Sequence, residues 1–130
     1  MYAEFADKNS AVVEQKCGCP GGKIEFDEEI DDSFVREIKE ETGVLVRPLE
    51  PIGITSFFIE KNNITTRLIA IFRLAEFVEG DLTTELREDL ALIEKSEWLD
   101  ISKIDFENDV IEDQVAVIKK GINLKLGLDL

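Results

Sequence analysis

The chain has 130 residues, a length that suits one domain built around one core, taken here as residues 1–130. Its formal net charge is −14 and it contains no histidine. Such a surface repels duplex nucleic acid and anionic lipid, and no imidazole base or metal ligand is available. No apolar run approaches the ~20 residues needed to span a bilayer. The first residues offer neither a basic start nor an apolar signal core, so a cytoplasmic location is expected, with no membrane contact.

In chain order, residues 2–7 and 11–15 read as two short strands about a Lys-Asn-Ser turn. Residues 17–22 form a turn-rich loop in which Gly21 and Gly22 let the backbone approach a ligand closely. Cys17 and Cys19 make a Cys-x-Cys, but a zinc site would need more Cys or His than the chain contains, so thiols in a reducing compartment are expected. Residues 23–26 read as a strand. Asp31, Asp32 or Ser33 can then cap a helix that runs over residues 34–42 and stops at Gly43. A proline-marked stretch lies between Pro48 and Pro51. Residues 52–60 and 64–78, rich in β-branched and aromatic side chains, predict a long hairpin turned by Lys61, Asn62 and Asn63. Residues 80–93 read as a polar loop with a helical piece, and 96–100 as a short strand around Trp98. An amphipathic helix is predicted over 110–120, stopped by Gly121. Beyond it, Ile122, Leu124, Leu126, Leu128 and Leu130 alternate with polar residues or glycine. Period two predicts a strand that extends the sheet or pairs with a second subunit as a homodimer.

The helix over 34–42 carries the chemistry. Phe34 and Ile38 lie four apart and share a face that can pack on a sheet. Glu37, Glu40 and Glu41 share another face, where like charges destabilise an isolated helix by ~0.2–0.5 kcal/mol per pair. Three carboxylates kept together call for a counter-charge, and a hard divalent cation with oxygen ligands is the natural one. The alternative is a solvated acidic face.

The spacing favours the first reading. From Gly22, five residues lead to Glu28 and seven more to Arg36, followed by Glu37, Ile38, Lys39, Glu40, Glu41, Thr42, Gly43 and Val44. This fills every specified position of the Nudix box, G-x5-E-x7-R-E-U-x-E-E-x-G-U with U aliphatic. The chain therefore resembles the Nudix hydrolases of the MutT-like kind. The resemblance implies an α/β fold, a mixed β-sheet sandwiched between helices as α/β/α. It also implies Mg²⁺- or Mn²⁺-dependent cleavage of a nucleoside diphosphate linked to another moiety. It further implies that Glu37, Glu40 and Glu41 bind metal, with Glu37 either a ligand or the base that orients water. The backbone carbonyl of Gly21 completes such a site, and Arg36 pairs with Glu28 to hold the loop against the helix. A further glutamate from the loop before Trp98 often joins; Glu85, Glu88 and Glu94 are the candidates, with Glu94 nearest.

Substrate choice is less legible. The proline of the ADP-ribose-cleaving relatives is replaced here by the Ile59-Glu60-Lys61 region, and Tyr2 is the only tyrosine, which removes the diadenosine-polyphosphate signature. Residues 12–15 faintly resemble cleavers of nucleotide sugars. A nucleoside triphosphate is the first expectation, with Phe57, Phe58 or Phe72 as base-stacking candidates. A Nudix-fold sensor that binds a nucleotide without turnover is the competing reading. A calcium-binding EF-hand fails because the sixth residue from Asp27 is Asp32, not glycine.

Overall fold

A computed structural model describes residues 2–5, 16–83 and 93–127, with side chains described for 17–83 and 96–127. Strand β1 (Tyr2–Phe5) lies between β2 (Lys16–Gly18) and β5 (Ile93–Glu97), antiparallel to both. Helix α1 (Ile30–Thr42) leads into β3 (Leu45–Lys61), which pairs antiparallel with β4 (Ile64–Glu79). A 3₁₀ turn (Ile101–Lys103) and helix α2 (Glu112–Leu126) follow. Among the described residues the parallel component is a bridge between Cys17 and Val110, which ties β2 to the segment before α2. The α/β class is as the sequence implied. None of the described helices is long and apolar enough to cross a membrane.

Two apolar clusters sit one under each helix. Under α1, Ile38, Val44 and Val46 are buried with Phe34 and Leu82 against them. Under α2, Cys17, Ile52, Val110, Val117, Ile118 and Ile122 are buried, flanked by Phe72 and Leu74 of β4. Phe72 is thereby a core residue, while Phe57 and Phe58 stand exposed on the hairpin.

The hairpin turn is as predicted. Asn62 and Asn63 both adopt positive φ, 53° and 62°, the conformation that a two-residue turn with matching twist requires and that asparagine tolerates. The arms are longer than expected because β3 begins at Leu45 and passes through the proline stretch by register shifts on either side of Pro51.

Elsewhere the structure corrects the sequence. Helix α1 starts four residues early, at Ile30, after Glu29, and no side chain caps it. Asp31 and Asp32 instead fall in its first turn, where their charge suits the helix dipole, and Ser33 is buried. Residues 23–26 form no strand. The carbonyl of Lys23 accepts from Arg36 Nη2 at 3.1 Å, and the Glu25 N–H donates to Glu28 Oε1 at 2.8 Å, so side chains take up these backbone groups. Cys17 and Gly18, expected as loop, belong to strand β2. Strand β5 ends before Trp98, whose ring meets that of Phe77 edge-on, with centroids 5.7 Å apart. The predicted strand over 11–15 lies outside the described residues.

The largest correction is at the C-terminal end. Gly121 does not stop α2, which continues to Leu126 and is closed by Gly127. A Cβ on Gly121 would lie 2.8 Å from Ile52 Cδ1, so the glycine lets the helix settle onto the hairpin. As far as Leu126 the alternation is therefore wound into a helix, while Leu128 and Leu130 lie outside the described residues. Ile122 faces the core and Leu124 and Leu126 face outward, so no strand edge forms among residues 122–126 to receive a second subunit.

Candidate active site

The loop before α1 and the polar face of α1 make one charged cluster centred on Arg36. Its Nε and Nη2 donate to the two oxygens of Glu28 at 3.0 and 2.6 Å, a paired, bidentate contact. Its Nη1 reaches Glu37 Oε1 at 2.9 Å and Glu40 Oε2 at 3.1 Å. The expected Arg36–Glu28 pair is thus present, and the same guanidinium also bridges two carboxylates of the helix.

Glu41 is the most enclosed carboxylate of the three, with 9% of its surface exposed. Its Oε2 accepts the Gly21 N–H at 2.8 Å. The Glu41 carbonyl accepts from Ser96 Oγ at 3.1 Å, so β5 supports the far end of α1. Gly22 packs on Glu37. A Cβ there would fall 2.1 Å from Glu37 Oε2, so any larger residue would displace that carboxylate. The two glycines consequently differ in role: Gly21 lends a backbone donor, and Gly22 lends space.

These contacts set the electrostatics. The hydrogen bonds from Arg36, then the one from the Glu25 N–H, lower the Glu28 carboxyl from its ordinary value of 4.5 to about 2. The carboxylates of Glu28 and Glu37 in turn raise the affinity of Arg36 for its proton. A carboxyl held below its unfolded pKa stabilises the fold above that ordinary value, and the contribution is lost as pH falls toward 2. Glu28→Gln should therefore melt below the wild type at neutral pH. The gap, followed by circular dichroism on acidification, should close between pH 4.5 and about 2. A gap that stays constant over that window would show that the charge on Glu28 contributes no stability.

The donor set is all oxygen and acidic, which suits Mg²⁺, Mn²⁺ or Ca²⁺ in preference to zinc or copper. In this conformation Arg36 engages Glu37 and Glu40 while Glu41 holds the Gly21 N–H. Among the described residues no three acidic or thiol groups converge as a ready-made ligand set. The chemistry of the donors fits a hard cation, and the one guanidinium of Arg36 is shared among the three carboxylates of Glu28, Glu37 and Glu40. Of the late glutamates, Glu85 and Glu88 lie outside the described residues. Glu94 falls in β5, and its side chain is likewise outside them. The thiols of Cys17 and Cys19 are not part of this cluster and form no disulfide; burial pushes the Cys19 thiol up to about 11, which makes it a poor nucleophile.

Two contributors were not foreseen. Ser96 gave no signal beyond its nearness to Trp98. Arg73 did carry one, a lone cation in the apolar run Ile69-Ala70-Ile71-Phe72-Arg73-Leu74-Ala75, which marks a buried polar contact.

The fold and the site together define an α/β protein whose acidic helix is pinned by an Arg–Glu pair over a diglycine loop. The Nudix domain family profile matches residues 7–119, and the chain belongs to the Nudix family. It is also 30% identical over 86 residues to a Bacillus subtilis (strain 168) protein described as an uncharacterized Nudix hydrolase, YvcI. That alignment takes in 65% of this chain and 51% of the relative, so the chain spans about half the length of the curated relative it matches.

Proposed function

We propose that the chain is a divalent-metal-dependent pyrophosphohydrolase acting on a nucleoside diphosphate linked to another moiety. The observation that carries this reading is the single cluster in which Glu28, Arg36, Glu37, Glu40, Glu41 and the Gly21–Gly22 loop meet. Glu37, Glu40 and Glu41 would hold Mg²⁺ or Mn²⁺, with the Gly21 carbonyl beside them and Glu94 as a further ligand. When bound, the cation polarises the phosphoryl group and acidifies a water.

The remaining work belongs to the chain itself. Glu37 would orient water or bind metal, and Gly22 leaves its carboxylate room at the loop. Arg36 balances Glu37 and Glu40 and, through Glu28, keeps the loop against the helix. The Gly21 N–H fixes one oxygen of Glu41 and so orients its carboxylate. Attack on phosphorus in such a site depends on position and charge neutralisation more than on covalent chemistry. A nucleoside triphosphate is the first substrate proposed, and a nucleotide sugar the second.

The test is a panel of nucleoside triphosphates, nucleotide sugars and dinucleotides with Mg²⁺ or Mn²⁺, read by chromatographic separation of the nucleotide products from the intact substrate. Turnover that vanishes with chelator is the expected result. Tight nucleotide binding with no turnover across the panel would make the chain a sensor instead.

A further inference from the structure

Arg73 is 15% exposed, deep for a guanidinium, and each of its three guanidinium nitrogens has a hydrogen-bond partner. Its Nε and Nη2 both donate to the Leu49 carbonyl, at 3.0 and 2.6 Å. Its Nη1 pairs with Asp31 in the first turn of α1. The guanidinium carbon also stands 5.7 Å from the centre of the Phe34 ring. Leu49 lies where the β3–β4 register shifts between Pro48 and Pro51, so the side chain of Arg73 bonds a carbonyl within the bulge.

We propose that Arg73 is a positioning residue that sets the rotation of α1 and so aims Glu37, Glu40 and Glu41. The proposal rests on the metal-dependent reading above. The buried apolar contacts of α1 are concentrated toward its C-terminal end, at Ile38 and just beyond at Val44, while Ile30 at its start is half exposed. Arg73 holds that start from two positions three residues apart, Asp31 and Phe34, which share one face. Without it the first turns of the helix are held chiefly by Ser33, which is buried, and by Phe34, which is only partly buried. A rotation of about 20° about its axis moves side chains at a radius of ~6 Å by roughly 2 Å. A displacement of about 1 Å at a reacting centre already costs on the order of a hundredfold in rate.

Direct Mn²⁺ binding, read from the electron paramagnetic resonance signal of the free ion, tests this without turnover. Arg73→Met should weaken Mn²⁺ binding by about tenfold or more, the size of effect seen for residues that support metal ligands, while circular dichroism shows the helices retained. Asp31→Asn should act in the same direction and less, and the double variant should lose less than the two losses combined. Arg73→Lys keeps the charge but cannot reach Leu49 and Asp31 in the same forked geometry, so it should recover only part of the binding. Wild-type affinity in a folded Arg73→Met variant overturns the proposal. If that variant does not fold, Asp31→Asn decides, since Asp31 is 65% exposed and its loss leaves the core intact; unchanged binding there overturns it equally. A wild type that binds no Mn²⁺ removes the metal reading itself, and this proposal with it.

Discussion

Glu41→Gln is expected to lower turnover by about a thousandfold, because the loss of several kcal/mol of metal-supplied charge stabilisation corresponds to roughly that factor. The substitution is chosen to separate chemistry from folding. A glutamine side chain has nearly the same shape as the glutamate it replaces, and its amide oxygen can still accept the Gly21 N–H that Glu41 Oε2 now accepts at 2.8 Å. The Glu41 carbonyl contact with Ser96 involves only backbone on the helix side and is untouched. What disappears is one negative charge and one carboxylate oxygen proposed as a metal ligand. The melting curve should therefore stay close to that of the wild type, while Mn²⁺ affinity and turnover both fall. Full activity in a folded Glu41→Gln protein would remove Glu41 from the metal site. A parallel loss of fold and activity would mean that its charge is structural, and the metal assignment would then rest on Glu37 and Glu40.

How much of this was legible follows from how local each feature is. The acidic face of the box helix was legible because Glu37, Glu40 and Glu41 lie within five residues of one helix, and helix geometry decides which of them share a face. The Arg36–Glu28 pair was foreseen because the resemblance to the Nudix box implies it, and the Asn62-Asn63 turn because its residues are adjacent in the chain. Arg73 was not, because its partners Leu49 and Asp31 are 24 and 42 residues away and come together only when β4 is laid beside β3. Gly121 misled for a related reason. A glycine in an amphipathic run reads as a stop, yet here Ile52 and Leu74 occupy the space that a side chain would need. The alternating tail failed because a period of two says nothing when a helix already in progress continues through it. Residues 23–26 failed because alternation makes a strand only where another strand can receive it, and Arg36 and Glu28 take up those backbone groups instead.

Gly80→Ala is expected to be the most damaging small substitution for stability, although Gly80 lies outside the box. Its φ is +108°, a conformation that costs a side-chain-bearing residue about 1–3 kcal/mol. A Cβ there would also stand 2.7 Å from the Gly43 carbonyl oxygen and 3.3 Å from Val44 Cα. Both neighbours are backbone and cannot swing aside, so overpacking adds about 1–3 kcal/mol. Gly43, the last glycine of the box, meets the same constraint from the other side, with φ at +80° and the Asp81 carbonyl 2.7 Å from where its Cβ would be. The Thr83 N–H donating to the Thr42 carbonyl at 2.9 Å closes the contact. The end of α1 and the end of β4 thus meet backbone to backbone, directly beside Glu40 and Glu41. The box glycine is needed as much for this crossing as for ending the helix. For a domain of this size the summed loss should lower the melting temperature by roughly 10 °C or more. Gly127→Ala is the control, since Gly127 has φ of +66° but nothing within 4 Å of its Cβ position. It should cost only the backbone conformation, about 1–2 kcal/mol. If Gly80→Ala melts no lower than Gly127→Ala, the two chain segments do not press on one another as described, and α1 is anchored near Glu41 by its apolar contacts and by the hydrogen bonds of Glu41 with Ser96 and Gly21.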